Sequence, residues 1–165
     1  MPVLPQNDLL ERFFGLAGFR AGQEESITHA LNGRNALVVM PTGSGKSLIF
    51  QFAAVSLPGT TLVISPLIAL MKDQVDALHR RNIQATFINS TLSSEEQNRR
   101  IQGMTVGRFK LVYIAPERLR SPAFVSALKR TAVSLLAIDE AHCISQWGHD
   151  FRPDYLALGQ AREIL

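Results

Sequence analysis

Only one cysteine, Cys143, occurs in the 165 residues, so no internal disulfide can form, which fits a chain that folds in a reducing compartment. Aromatic residues make up 7% of the chain and there is a single tryptophan, Trp147. No apolar run approaches the roughly 18 residues that cross a bilayer. The opening MPVLPQNDLL has neither a basic start nor a long apolar stretch, so neither a membrane anchor nor a secretory leader is expected. Neither sign of charge dominates: 17 basic and 14 acidic residues leave a net +3, which permits a polyanionic partner without requiring one. Repeats, low-complexity tracts and linkers are absent, so one compact domain is expected. Asn89-Ser90-Thr91 has the form of a glycosylation sequon, which carries little weight in a chain read as intracellular.

What is present is an alternation of two periodicities. NALVVM (35–40), TTLVIS (60–65), ATFINS (85–90), KLVYIA (110–115) and VSLLAID (133–139) read as short strands, apolar on both faces. Between them, 45–57, 67–81, 93–104 and 121–130 have helical patterns. Ser93 with Glu96 forms a capping box, and Ser121-Pro122 supplies a cap and a first-turn proline. Two further helices precede the first strand, NDLLERFF and GQEESITHALN, the second closed by Gly33. Strands about 25 residues apart with helices between them predict an α/β fold built on a mostly parallel central sheet.

After the first predicted strand comes MPTGSGKS, residues 40–47. Gly43 and Gly45 let backbone amides curve around phosphate oxygens, with Thr42 and Ser44 in the same cradle. Lys46 offers a point charge to the β- and γ-phosphates, and Ser47 a hydroxyl to Mg²⁺. The helix that follows aims its positive end at the anion. The strict pattern has glycine where this chain has Met40. A Gly/Ser turn can end in lysine by chance, but rarely between an apolar strand and a helix. LLAIDE then delivers Asp139 and Glu140 to a strand tip. Alone, that pair reads equally well as acids favoured by a helix dipole. With a phosphate loop in the same chain, Asp139 reads as the Mg²⁺ ligand and Glu140 as the group that polarises the attacking water. Lys46, Asp139 and Glu140 are thus the candidate catalytic residues for ATP hydrolysis. Glutamate directly after the aspartate favours hydrolysis over transfer to a small acceptor. It leaves a transporter-type ATPase open.

IDEAH (138–142) is the DEAH form of helicase motif II, and the chain resembles the RecQ family of superfamily 2 DNA helicases along nearly its whole length. FGLAGFRAGQ (14–23) is similar to the motif that precedes the phosphate loop in that family, VISPLIALMKDQV (63–75) to motif Ia, and YIAPERL (113–119) to the motif after it. CISQWGHDFRPDY (143–155) resembles the aromatic-rich loop that sets RecQ apart. Leu48-Ile49-Phe50 stands where the family more often has Leu-Cys-Tyr.

The resemblance implies a RecA-like P-loop NTPase fold with helices on both faces of the sheet. Residues 1–34 would carry the adenine-recognition motif and 35–165 the P-loop core. It implies that Arg20 and Gln23 meet adenine, that Ser47 and Asp139 hold Mg²⁺, and that His142 couples the nucleotide site to DNA. Ser65, Pro66 and Leu67, with Trp147, Phe151 and Arg152, would lie on a single-strand path. Motif III, a second RecA-like domain, a zinc-binding region and a winged helix are not in this sequence. It therefore reads as a first motor domain ending before its last strand or strands, slow to hydrolyse ATP and unable to unwind DNA by itself. The expected whole is an ATP-dependent 3′→5′ helicase acting on single-stranded or partly duplex DNA in repair and recombination, in the cytoplasm or nucleoid of a bacterium or the nucleus of a eukaryote. A nucleotide- or DNA-binding module without catalysis, or an RNA helicase of the wider DEAH/DEAD group, are the alternatives.

The physical character of the aromatic loop agrees with the resemblance. Rings offer stacking faces worth about 1–3 kcal/mol per base, and arginine adds phosphate or cation–π contact. Trp147 or Phe151 could instead plug a core edge, and His149 could be a hydrogen-bonding cap. In a complete motor, Trp147→Ala or Phe151→Ala is expected to spare ATP binding but blunt DNA-stimulated hydrolysis and unwinding. Normal unwinding by these variants would reduce the loop to packing.

Overall fold

The computed structural model describes residues 6–144 and 158–159. Four parallel strands form one sheet in the order β2-β3-β1-β4, with β1 Thr60–Ile64, β2 Ala85–Ile88, β3 Leu111–Ile114 and β4 Val133–Ile138. The ladders keep register at their C-terminal ends: Ile64 lies opposite both Ile114 and Ile138, and Ile88 opposite Ile114. Among the described residues the α-helices are α1 (Gln6–Phe14), α2 (Gln23–Leu31), α3 (Lys46–Ser56), α4 (Ile68–His79), α5 (Ser94–Thr105) and α6 (Pro122–Leu128). Among the described residues no helix is long and apolar enough to cross a membrane.

Period-two alternation along the strands sorts side chains into two cores. Val63, Leu111, Tyr113 and Ala85 join Leu10, Ile27, Phe52 and Met71 on the side of α1–α4. Leu62, Ile64, Val112 and Ile114 join Met104, Phe124 and Leu128 on the side of α5 and α6. Both faces of the sheet are therefore covered, as the doubly apolar strands require.

The stretch 35–40, expected as a strand, pairs with no other in the described structure. It keeps the alternation of an extended chain: Val38 and Met40 pack on the first core, whereas Leu37 and Val39 are 83% and 87% exposed. Apolar sequence on both faces argues for extended chain, but a strand also needs a neighbour to take its backbone hydrogen bonds. The capping box at Ser93 is half formed. Ser93 Oγ accepts from the Glu96 N–H at 3.2 Å, while the Glu96 carboxylate turns to Arg99 and Arg100. A charge-assisted partner outcompetes the neutral amide that would complete the box. Ser121 caps α6 as expected, accepting from the Phe124 N–H at 3.4 Å. The sequon asparagine, Asn89, is buried, and its side-chain oxygen accepts from the Thr91 N–H and hydroxyl.

Phe52 ties the N-terminal motif to the phosphate-loop helix. Its ring packs edge-on to Phe19 at 5.1 Å and tilted to Phe14 at 6.3 Å, with no solvent exposure. Phe52→Ala is expected to cost about 3–5 kcal/mol, a large part of a typical domain's ~5–15 kcal/mol. Urea denaturation measures it, and a loss under about 1 kcal/mol would mean that the cluster relaxes around the void.

Candidate nucleotide site

The phosphate loop is the turn between the unpaired extended segment and α3. Gly43 and Gly45 adopt positive φ, 78° and 86°. A side chain at Gly45 would be strained by that φ, and its Cβ would come within 2.7 Å of Gln23 Nε2. The close approach has a purpose. Gln23, only 1% exposed, donates from Nε2 to the carbonyls of Ser44 (3.2 Å) and Gly45 (3.0 Å) and accepts the Arg20 N–H at 2.8 Å. Arg20 Nη1 donates to the Gly43 carbonyl at 2.9 Å. Both residues expected at adenine thus clamp the loop backbone here, and Phe19, packed on Phe52, anchors the clamp.

Lys46, the first residue of α3, lies back across the loop, and its ammonium donates to the carbonyls of Met40 (3.0 Å) and Pro41 (3.2 Å). Ser44 Oγ is buried and has no hydrogen-bond partner among the described residues. A buried hydroxyl without a partner carries a desolvation cost that an incoming oxygen ligand would relieve.

Asp139 leaves β4 beside the end of β1. Its backbone N–H donates to the Ile64 carbonyl at 2.8 Å, and the Ser65 hydroxyl donates to Oδ2 at 3.3 Å. The Glu140 N–H donates to Oδ1 at 3.0 Å. Glu140 itself has φ 51°, a left-handed conformation uncommon for a residue with a side chain, and its carboxylate lies 3.3 Å from His142 Nδ1. Burial pushes the Asp139 carboxyl above the usual range, and the neighbouring Glu140 charge adds to the shift. The two hydrogen bonds and the Lys46 charge oppose it without cancelling it.

Thr42, Gly43, Gly45, Lys46, Ser47, Ser65, Leu67, Asp139 and Glu140 line one cavity of about 310 Å³. Of the three residues expected on the strand path, Ser65 and Pro66 are buried and Leu67 is half-buried. His142 is exposed. Trp147, His149, Phe151 and Arg152 lie outside the described residues. Sequence reasoning passed over Tyr113, Gln74 and Gln51. The first two line the same cavity, and Gln51 is hydrogen-bonded to both. The available signals were a glutamine inside the apolar run SLIFQFAAV and a tyrosine within LVYIA.

The pattern of DEAD/DEAH box helicases matches residues 20–163. The chain belongs to that family. The chain is 52% identical over 151 residues to ATP-dependent DNA helicase RecQ of Haemophilus influenzae, covering 92% of this chain and 24% of the relative. It is 55% identical over 148 residues to RecQ of Bacillus subtilis, covering 89% and 25%. With ATP-dependent DNA helicase Q5 of Rattus norvegicus it shares 45% over 164 residues, covering 94% and 17%. The RecQ resemblance of its motifs therefore holds across most of the chain, which spans about a quarter of the length of the bacterial relatives it matches.

The raised Asp139 pKa has a definite sign. The folded helicase domain holds that proton to higher pH than the unfolded chain does. Stability present while Asp139 is protonated is thus lost as pH climbs from the ordinary aspartate value, about 4, through the raised one. Asp139→Asn cannot ionise. Its Tm is expected to rise relative to the parent across that window and hold the gain above it, by about 2–4 °C for each kcal/mol recovered. Scanning calorimetry from acid to neutral pH measures this, and a constant offset between the two proteins would contradict it.

Proposed function

We propose that this chain is the ATP-binding motor domain of a RecQ-type DNA helicase that couples ATP hydrolysis to 3′→5′ movement on DNA. The observation that carries the reading is the convergence, on one cavity, of the phosphate loop with the partly buried Asp139 and its neighbour Glu140 at the C-terminal edge of a parallel sheet. That edge is where α/β sheets bind ligands.

In this reading the triphosphate lies in the turn of residues 42–47, beneath the positive end of α3. Lys46 exchanges two neutral carbonyls for phosphate oxygens, a stronger charge-assisted pairing. Mg²⁺ fits the donors present. Asp139 is an acid held in a cleft against a second acid, an arrangement that a cation would relieve, and Ser47 supplies a hydroxyl oxygen. Among the described residues no cluster of three or more His, Cys, Asp or Glu exists, so the remaining ligands would be phosphate and water oxygens, as Mg²⁺ prefers. When bound, the ion would neutralise charge on the phosphates. Glu140 would orient and polarise the attacking water. Adenine recognition by Arg20 and Gln23 requires these side chains to shift from the loop carbonyls they now hold.

Coupling to DNA is proposed through both strand ends. Leu67 and the segment bearing Trp147, Phe151 and Arg152 would contact the single strand, with Ser65 and Pro66 supporting Leu67 from beneath. His142 would carry the state of Glu140 to that loop. A second RecA-like domain is the partner that such a motor needs.

DNA-stimulated ATPase of the full-length protein tests the reading. Lys46→Ala is expected to lower kcat by about 10²-fold or more, in the range seen when one electrostatic donor is removed from a transition state. Hydrolysis that ignores single-stranded DNA, or survives Lys46→Ala, would overturn it, as would stronger stimulation by RNA.

A further inference from the structure

Three polar side chains meet behind the nucleotide cavity, where apolar ones would fill the same space at lower desolvation cost. Gln51 comes from α3, Gln74 from α4 and Tyr113 from the middle of β3. Gln51 is 7% and Tyr113 2% exposed. Gln51 Nε2 donates to Gln74 Oε1 at 3.0 Å and to the Tyr113 hydroxyl oxygen at 3.2 Å. Both protons of that amide are then engaged, and the phenol oxygen serves as acceptor on this side. Its own proton must point elsewhere, and no acceptor among the described residues takes it. Tyr113 and Gln74 both line the cavity that holds Lys46, Ser47 and Asp139. Phe50, edge-on at 6.3 Å, fixes the ring. Burial, with the Asp139 charge as a lesser cause, pushes the phenol's titration well above its usual range, so it remains a proton donor.

We propose that Tyr113 is a positioning residue of the nucleotide site, braced by Gln51 and Gln74, whose hydroxyl donates a hydrogen bond into the cavity to an oxygen of the bound metal–nucleotide. The inference rests on the nucleotide reading given above and deepens it. The Gln51–Gln74 bond also links α3 to α4.

The test uses the full-length protein and a fluorescent ATP analogue, titrated with and without Mg²⁺. Tyr113→Phe removes the hydroxyl and keeps the ring. Gln51→Met removes the brace at similar volume and leaves Tyr113 in place. Each is expected to reduce the affinity gained on adding Mg²⁺ by about 3- to 10-fold, the scale of one hydrogen bond. Metal-free affinity should change little, and Tyr113→Phe should keep a cooperative melt. Lys46→Ala, run in parallel, should lose affinity in both conditions. If Lys46→Ala weakens binding while Tyr113→Phe keeps the full Mg²⁺ gain, this inference fails and the nucleotide reading stands. If Lys46→Ala binds normally, both fall.

Discussion

The parallel pairing of β1 with β4 is the constraint from which the site follows. Because both strands run the same way, their C-terminal ends leave the sheet at one edge, with Ile64 opposite Ile138. The next residue on each strand, Ser65 and Asp139, emerges within hydrogen-bond reach of the other. A one-residue slip would reverse the facing of every side chain on β4 and remove this meeting. The Asp139 N–H bond to the Ile64 carbonyl extends the ladder to the first of the two acids. The acid is therefore placed by the backbone, as a site that must hold its geometry requires.

Holding an aspartate in this way has an electrostatic consequence. Two acids in sequence at a half-buried edge repel each other, and desolvation worsens the cost for Asp139. Without ligand the site offsets only part of this, through one hydroxyl, one backbone N–H and the charge of Lys46. The Lys46 ammonium itself rests on the loop carbonyls. Asp139, Glu140 and Lys46 line one cavity.

Most of the architecture was legible in the sequence because its signals are local. Short runs apolar on both faces gave four of the strands, and Ser93 and Ser121 marked helix starts that the structure keeps. The stretch 35–40 differed because pairing is a property of two segments, and alternation in one cannot reveal whether a second is there. The Glu96 side chain differed because the competing arginines lie one turn further along the helix, and charge won. At the site, Lys46, Ser47, Asp139 and Glu140 could be named from spacing, since loop and strand tip each carry their chemistry in a few consecutive residues. The bond between Ser65 and Asp139 spans 74 positions and follows from register, which no short motif encodes. Gln51, Gln74 and Tyr113 come from three separate elements, so their meeting had no sequence signature beyond a polar residue in an apolar run.

The clamp on the phosphate loop shows why the motif at 14–23 belongs to this site. Gly43 and Gly45 let the backbone take left-handed turns, yet glycine also gives the unbound loop the most freedom to lose. A loop of such residues would bind phosphate only after bearing its own ordering entropy. Arg20 and Gln23 bear that cost at folding, because three hydrogen bonds hold the carbonyls of Gly43, Ser44 and Gly45 before any ligand arrives. The clamp in turn depends on Phe19 against Phe52, so core packing and loop order form one chain of cause. Residues on α2 and before it therefore set the conformation of the loop through the backbone carbonyls they restrain.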